Sequence, residues 1–385
     1  MHPVTPSSAE DLASVLQEAA SNMKIIEVTG NRSKRLMGGP LQPADLTVCT
    51  GTLRRVLQYE PNDLTISVEA GIPFAELQGI LARNRQMIAL DPPFSAKATI
   101  GGVVASNSSG PTRLCFGTAR DLVIGMQFAT IEGRLVRTGG MVVKNVAGLD
   151  LGKLMIGSFG TLAAITSLNF RLHPLPESTN TFVFSFAELE GAMEKRDSVL
   201  RSVLRPLAMD VITPPAAMRL GRRGFILAIQ AGGSTAVLDR YERELTDGER
   251  LCGAADAAIW EHVREFTPDF LRRQPNGVVL RVSTPLNDMA ALLRMISGPC
   301  IARAGSGITY VYLSSWLGLG ALWQSAIQHG WSAAVEFAPE ERTGKDLWLL
   351  GTSPRSLDSF AMMKKVKHMF DPNNLLNPLR LYGRI

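Results

Sequence analysis

The stretch from Gly139 to Thr166, GGMVVKNVAGLDLGKLMIGSFGTLAAIT, is rich in glycine, lacks proline and contains a Lys–Asn pair. Glycine occurs where the backbone takes a positive φ or where another group approaches the chain closely. Earlier clusters of small residues are the loop GNRSKRLMGGP, the pair Gly101–Gly102, and NSSG at 107–110. Several loops of this kind are typical of a fold that surrounds a ligand. For residues 91–130 taken alone, a loop-rich antiparallel sheet is the alternative prediction.

Length and composition indicate a globular protein of more than one domain. The chain has 385 residues, which is more than one hydrophobic core normally supports, so we expect two domains. Hydrophobic residues make up 45% and charged residues 19%, which argues against a disordered or fibrous protein. The formal net charge is +5, but the basic residues are scattered along the chain. We therefore expect no nucleic-acid partner.

The cysteines and the N-terminus bear on the cellular compartment. The four cysteines are far apart in the sequence, without the paired spacings of metal or redox sites, and we interpret them as buried free thiols: Cys49, Cys115, Cys252 and Cys300. The first residues show no basic segment followed by an apolar one, and no apolar run approaches the roughly 18 residues of a membrane span. These features predict a cytoplasmic protein, with any contact to the inner face of the cell membrane made through partners.

Local patterns predict the secondary structure around these loops. Ser8 is placed to cap a helix over LASVLQEAA, KIIEVTG and DLTISVEAG have strand patterns, and PFAELQGILARN has helical spacing. Beyond residue 175, four strand patterns are each followed by a helical pattern, beginning with TFVFSF and AELEGAMEKRDSVLRSVL. This alternation predicts a second α+β domain whose sheet is covered by helices on one face. The tail from Met362 predicts a helix, a turn and a terminal strand or arm.

Two common nucleotide sites are missing from the sequence. No segment has the G-x-G-x-x-G spacing of a nicotinamide site, and no segment has the G-x-x-x-x-G-K-[ST] spacing of a phosphate loop. A long dinucleotide held by backbone N–H groups from several loops remains the best explanation of the small-residue clusters.

The clusters carry a family resemblance. The segments TGNRSK, PPFSAKATIGGVVASNSSG, ARDLVIGM, GGMVVKNVAGLDLGKLMIGSFGTLAAIT and FDPNNLLNP resemble the flavin-binding fold of vanillyl-alcohol oxidase and p-cresol methylhydroxylase. Within that superfamily the chain most resembles the E-type subunits of bacterial glycolate oxidase. The resemblance implies an α+β protein: a two-subdomain FAD-binding domain of the p-cresol methylhydroxylase (PCMH) type at 1–175, an α+β cap domain with an antiparallel sheet at 176–352, and a C-terminal arm at 353–385 that returns to the FAD domain.

The resemblance also implies which residues bind non-covalent FAD. The G-x-x-S-K loop faces the diphosphate, a second loop lines the ribityl chain and ring, a third segment lies near the adenine, and the arm approaches the ring. In this sequence they correspond to Gly30, Asn31, Arg32, Ser33 and Lys34; to Thr99, Ile100, Gly101, Gly102, Asn107, Ser108 and Gly110; to Gly157, Gly160, Thr161 and Ile165; and to Asn377. The residues expected to support the wall of this cleft are Lys144, Asn145 and Asp150.

Three residues depart from the family pattern. Leu149 occupies a position where tyrosine is usual, and Ala163 and Leu379 occupy positions where glycine is usual. The first two are packing exchanges near the cofactor. The third changes the expected approach of Asn377 and the arm.

A catalytic base is not evident. Flavoenzymes that oxidise 2-hydroxy acids need a base with a pKa near neutrality. The histidines show no ligand-type spacing and are interpreted as surface or loop residues: His2, His173, His262, His329 and His368. Arg222, Arg223 and Arg281 are candidates for a substrate carboxylate, although a solvated or sheet-supporting role is the preferred interpretation. The FAD loops lack the histidine or cysteine of a covalent linkage, with Cys115 as the one exception to test. No metal is expected.

Two functions follow from the resemblance. The chain is expected to be the FAD-binding subunit of a glycolate oxidase complex that oxidises glycolate or D-lactate to the 2-oxo acid. Its partners would be a D-type flavoprotein and an iron–sulfur subunit. The alternatives are a stand-alone FAD-dependent 2-hydroxy-acid dehydrogenase and a non-catalytic FAD-carrying assembly subunit. The apolar stretch from Tyr310 to Trp323 is a candidate for the contact with partners, or else core of the second domain.

Overall fold

A computed structural model describes residues 3–40, 42–141, 150–339 and 354–385, with side chains from residue 359 onward in the last segment. The residues His2, Lys144, Asn145 and Leu149, which the sequence singles out, lie outside the described residues. The helices in chain order are α1 Ala9–Ser21, α2 Phe74–Ala82, α3 Ile100–Ala105, α4 Arg113–Phe116, α5 Ala119–Leu122, α6 Gly152–Met155, α7 Leu189–Arg201, α8 Pro214–Ala217, α9 Thr235–Glu244, α10 Ala254–Arg264, α11 Phe266–Arg273, α12 Met289–Arg294, α13 Leu319–His329 and α14 Pro354–Phe370.

The strands are distributed over four sheets. In chain order they are β1 Ile26–Thr29, β2 Leu46–Cys49, β3 Val56–Glu60, β4 Thr65–Glu69, β5 Gln86–Met87, β6 Val123–Ala129, β7 Leu135–Gly139, β8 Ala164–Arg171, β9 His173–Pro174, β10 Ser178–Phe186, β11 Ala208–Ile212, β12 Phe225–Gly233, β13 Glu249–Cys252, β14 Val278–Ser283, β15 Cys300–Arg303, β16 Ile308–Leu313 and β17 Ser332–Phe337.

The chain divides into two compact units. The first comprises the described residues of 1–109, 118–175 and 340–385, and the second comprises 110–117 and 176–339. In the first unit, β1 and β2 pair in parallel, and a five-stranded antiparallel sheet has the order β3-β4-β8-β6-β7. A third, two-stranded sheet in this unit pairs β5 with β9. The mixed α+β architecture with an antiparallel cap sheet is confirmed.

The N-terminal predictions are confirmed. Ser8 caps α1, with its hydroxyl oxygen accepting a hydrogen bond from the Asp11 N–H at 3.1 Å. The apolar side of α1, including Leu12 and Leu16, is completely buried together with Ile26 of β1. This packing fixes the position of β1, whose carboxyl end leads into the GNRSK loop.

The C-terminal tail returns to the first unit as an arm. After α14, Leu376 forms a parallel bridge with Ile26 on β1, and both side chains are fully buried. Of the two predicted forms, a strand or an arm, the structure has the arm, because the contact is a single bridge followed by turns at residues 378–384.

The second unit contains one large antiparallel sheet with the strand order β13-β10-β12-β11-β15-β16-β14-β17. The four predicted strand–helix pairs are confirmed as β10 and α7, β12 and α9, β14 and α12, and β16 and α13. The sequence did not predict β11, β13, β15 or β17. β11 and β15 are buried at every position, so neither shows the alternation of apolar and polar residues that marks a strand with one buried face.

Two sequence-based expectations are wrong. The alternative of a loop-rich sheet over 91–130 is wrong, because α3, α4 and α5 precede the single strand β6.

The expectation of four buried thiols is also wrong. Cys300 is buried and Cys49 is half-buried, but Cys115 and Cys252 are exposed. Cys115 lies on a one-turn helix without buried residues, and Cys252 ends β13 at the edge of the sheet.

The apolar stretch from Tyr310 to Trp323 divides into two parts. Val311 and Tyr312 are buried in β16, inside the sheet, as the core interpretation expected. Trp316 and Leu317, just before α13, are exposed by 38% and 78%. Among the described residues, no helix combines the length and the apolar character that crossing a membrane requires.

Candidate functional site

A cleft in the first unit opens beside the carboxyl end of β1 and brings together most of the predicted cofactor residues. Those that line it are Gly30, Asn31, Arg32, Ser33, Lys34, Thr99, Gly101, Gly102, Gly160, Ile165 and Asn377. They come from four separate segments of the chain, so the cleft depends on the tertiary fold and not on one local motif.

The first wall is the loop from Gly30 to Lys34. Two carbonyls at its start accept hydrogen bonds from other parts of the chain. The Cys49 thiol donates to the Gly30 carbonyl at 3.3 Å, and the Thr50 hydroxyl donates to the Thr29 carbonyl at 3.3 Å. By contrast, no backbone N–H of Asn31, Arg32 or Ser33 donates a hydrogen bond to any other described residue. Successive N–H groups of this kind suit an anion.

The charges beside this loop are predominantly positive. The Arg32 guanidinium forms an ion pair with Glu27 at 2.9 Å, so the carboxylate offsets part of its charge. The Lys34 ammonium lies 6.0 Å from the centroid of the Phe94 ring. Arg35 and Arg380 also line the cleft.

The second wall is the start of α3. Thr99 caps this helix, and its hydroxyl oxygen accepts a hydrogen bond from the Gly102 N–H at 3.2 Å. The N–H groups of Ile100 and Gly101 donate to the carbonyls of Ile72 and Ala70 at 3.0 and 2.8 Å. Because these amides are bonded within the protein, α3 can contact a cofactor only by packing against it. The hydrogen-bond donors available to a cofactor are the N–H groups of the first loop.

The two glycines of α3 have different roles. A Cβ on Gly101 would lie 2.7 Å from the Ala70 Cβ and 2.8 Å from the Ala70 oxygen, so Gly101 is required by packing within the protein. A Cβ on Gly102 would meet only the Thr99 hydroxyl, at 3.1 Å. Gly102 therefore leaves space on the cleft side.

This difference predicts that Gly102→Leu displaces FAD without unfolding the chain, since its side chain enters the cleft. We expect FAD affinity to fall roughly 100-fold, the effect of a few kcal/mol of overpacking. Bound flavin per protein and a melting curve measure the two properties. Gly79→Leu is the control, because Gly79 is exposed on α2 and its Cβ would meet nothing within 4 Å. Equal flavin loss in both variants would contradict the prediction.

The third wall is the turn from Gly157 to Thr161, which contains positive φ at Gly157, Phe159 and Gly160. It is fixed to α3 by hydrogen bonds from the Gly157 N–H to the Val104 carbonyl and from the Phe159 N–H to the Ala105 carbonyl, at 3.1 and 2.8 Å. Thr161 is buried and bonds within the turn, with its hydroxyl donating to the Ser158 carbonyl at 2.7 Å.

Asn377 joins β1 to this turn. Its Oδ1 accepts from the Val28 N–H at 2.9 Å, and its Nδ2 donates to the Phe159 carbonyl at 2.8 Å. A Cβ on Gly160 would lie 2.7 Å from that Nδ2. Leu379, two residues further on, has a φ of +65°, a conformation that favours glycine. The departure from the family pattern at Leu379 thus keeps the turn that glycine would make.

Some predicted residues lie elsewhere. Ile100, Asn107, Ser108, Gly157 and Thr161 belong to the first unit but are not among the residues that line the cleft, and Gly110 lies in the second unit. Asp150, predicted as wall support, lies 3.9 Å from the Lys153 ammonium in an ion pair. Direct contact of any of these residues with a cofactor stays a prediction.

The sequence missed a buried ion pair that supports the third wall. Lys367 on α14 donates to Asp371 Oδ2 at 2.5 Å, to the Thr161 carbonyl at 2.7 Å and to the Leu376 carbonyl at 2.9 Å. Asp371 also accepts from the N–H groups of Leu375 and Leu376. Burial lowers the pKa of Lys367, and the Asp371 charge opposes that shift. The i, i+4 spacing of Lys367 and Asp371 was the only sequence signal, and it is common on exposed helices.

The histidine and cysteine side chains decide which chemistry is available in the part of the chain that the structure describes. Among those residues no group of three His, Cys, Asp or Glu side chains is arranged to hold a metal. His262 and His329 each have Nδ1 2.7–2.8 Å from a carbonyl one turn earlier on their own helix. Partial desolvation by its neighbours raises the pKa of the Cys115 thiol although the residue as a whole is exposed, which keeps the thiol protonated.

Comparison with known proteins identifies the class. Residues 2–139 match the family described as FAD binding domain, and residues 353–381 match FAD linked oxidases, C-terminal domain. Glycolate oxidase subunit GlcE of Escherichia coli (strain K12) is 26% identical over 378 residues, covering 98% of each chain. Glycolate oxidase subunit GlcD of Bacillus subtilis (strain 168) is 21% identical over 420 residues, covering 99% of this chain and 88% of the relative.

A solved structure shares the fold. That of p-cresol methylhydroxylase with substrate bound aligns with a TM-score of 0.78 at 16% identity, covering 99% of this chain and 88% of the other. The chain therefore has an FAD binding domain at residues 2–139 and is an FAD-linked oxidoreductase with FAD as its cofactor, and it shares the fold of p-cresol methylhydroxylase. Within that class it is similar along its whole length to the E subunit of glycolate oxidase. The free amides and positive charges of the first loop fit the diphosphate of FAD.

Proposed function

We propose that this chain is the FAD-binding subunit of a complex that oxidises a small 2-hydroxy acid, glycolate or D-lactate, to the 2-oxo acid. Its partners are a D-type flavoprotein subunit and an iron–sulfur subunit that takes the electrons onward. The observation that carries the proposal is the cleft in which free backbone N–H groups at Asn31, Arg32 and Ser33 lie beside basic side chains. FAD, when bound, supplies the two-electron acceptor.

Different residues of the cleft contact different parts of FAD in this proposal. The amides of the first loop and Lys34 hold the diphosphate, Gly102 gives the flavin close access to α3, and Asn377 keeps β1 and the third wall together. We propose that the FAD is held without a covalent bond. The protonated, exposed Cys115 supports this, since a thiolate is the reactive form.

The subunit role is favoured over a stand-alone dehydrogenase because no histidine cluster is found among the described residues. It also agrees with the names of the relatives GlcE and GlcD, both of which are subunits. We propose that Trp316 and Leu317, which are exposed and apolar, form part of the contact with a partner subunit. A position on the inner face of the membrane would follow from those partners.

Co-expression tests the proposal. We expect the isolated chain to bind FAD but to oxidise glycolate and D-lactate slowly. With a D-type flavoprotein and an iron–sulfur subunit it should co-purify and show dye-linked activity on one of these acids. Leu317→Lys should weaken co-purification while the isolated chain keeps its FAD.

Other outcomes decide between the alternatives. Turnover of roughly one per second or more by the isolated chain would favour a stand-alone dehydrogenase. A complex assembled with the Gly102→Leu variant should lack flavin in this chain. If that complex keeps full activity, the chain is an assembly subunit. Failure of the wild-type chain to bind FAD, alone and in the complex, would contradict the proposed function.

A further inference from the structure

The guanidinium of Arg380, on the C-terminal arm, binds backbone carbonyls at the end of the first loop. Arg380 Nη1 donates to the Arg35 carbonyl at 2.7 Å and to the Gly39 carbonyl at 3.3 Å, and Nη2 donates to the Lys34 carbonyl at 3.4 Å. Three carbonyls at the end of the loop and just after it therefore accept hydrogen bonds from one cation.

The positive charge of Arg380 is not neutralised by its neighbours. Its hydrogen-bond partners are backbone carbonyls, and it forms no ion pair with a carboxylate of the residues that the structure describes. Glu27 is near enough to raise the pKa of Arg380, but Glu27 is paired with Arg32. Burial lowers the pKa of Arg380 to about 10, so the side chain stays protonated at neutral pH.

The same residue lines the cleft, in company with Gly30, Asn31 and Arg32. A partly buried cation gains stability from an anion that enters its low-dielectric surroundings, since screening by water is weak there. The cleft is therefore built to accept negative charge at the end where the C-terminal arm meets the loop.

We propose that Arg380 is a positioning residue for FAD. Its guanidinium orders the carbonyls of Lys34, Arg35 and Gly39, and it supplies the buried positive charge that balances the diphosphate of the cofactor. The proposal rests on the proposed FAD cleft. It assigns to the C-terminal arm a role in cofactor affinity that the loop motif alone does not predict.

Titration of the full-length, flavin-depleted chain with FAD at several salt concentrations tests this role. Arg380→Gln should weaken FAD binding roughly 10-fold or more, as expected for a lost charge-assisted interaction. It should also flatten the dependence of the dissociation constant on salt. Arg380→Lys keeps the charge but loses the fork of donors, so its affinity should be intermediate and its salt dependence close to wild type.

The matched control is Arg384→Gln. Arg384 lies on the same arm, 4.3 Å from the Phe360 ring centroid, and is not among the residues that line the cleft. We expect wild-type affinity and salt dependence. Unchanged FAD affinity in Arg380→Gln would overturn the proposal, and so would weaker binding with an unchanged salt dependence, which indicates loop support alone. Wild-type protein that binds no FAD would instead contradict the proposed function.

Discussion

Gly30→Ala is expected to lower FAD affinity roughly 100-fold, the result of one methyl group forced into a packed position. A Cβ on Gly30 would lie 2.3 Å from the Thr99 hydroxyl oxygen, well inside van der Waals contact. Thr99 caps α3, so the clash separates two walls of the cleft that must meet on the same cofactor. Titration with FAD, with circular dichroism to verify folding, measures the effect.

Two further variants identify the cause. Thr99→Ala removes the hydroxyl and methyl groups that clash, so Gly30→Ala/Thr99→Ala should recover part of the lost affinity. Gly51→Ala is the matched control, because Gly51 follows β2 near the same loop and its Cβ would approach no atom closer than 3.4 Å. Wild-type affinity in Gly30→Ala would show that the two walls tolerate separation.

Lys367→Met is expected to destabilise the chain by about 3–5 kcal/mol, because it leaves the Asp371 carboxylate buried without a counter-charge. Asp371 is only 1% exposed, so water cannot replace the lost ammonium. The substitution also leaves the carbonyls of Thr161 and Leu376 without their donor. The free energy of unfolding from urea titration measures the change.

The control for this variant lies on the same helix. Lys364 is exposed on α14, and we expect Lys364→Met to change the free energy of unfolding by less than about 0.5 kcal/mol. Lys367→Met/Asp371→Asn should be more stable than Lys367→Met, since it removes the unpaired charge. A loss of less than about 1 kcal/mol in Lys367→Met would mean that Asp371 becomes neutral at little cost.

Local chemistry explains which parts of the fold were predictable. The cap at Ser8 and the strand–helix pairs of the second unit depend on neighbouring residues and on a repeated apolar period, both of which can be read directly. Short strands such as β11 and β15 were missed because their burial depends on the neighbours in the sheet. The exposure of Cys252 was missed for the same reason, because the sequence does not say which strand lies at an edge.

The candidate site was likewise predictable only where it depends on local sequence. The glycine clusters indicated which segments surround a ligand, but not which neighbour each glycine accommodates. Gly30 accommodates Thr99, and Gly101 accommodates Ala70, so part of the glycine pattern serves contacts within the protein. Lys367 and Arg380 carry no motif, and their roles arise from partners distant in sequence. Such contacts are set by the tertiary fold and are invisible to spacing.

The contact of the arm with β1 has a consequence for synthesis of the chain. Asn377 and Val28, which are joined by hydrogen bonds, are 349 positions apart in the sequence. During translation, β1 leaves the ribosome long before Asn377 and Arg380 are synthesised, and contacts of such sequence separation form late. We therefore expect flavin uptake to wait for synthesis of the arm, and nascent chains that stall before Asn377 to be released without cofactor.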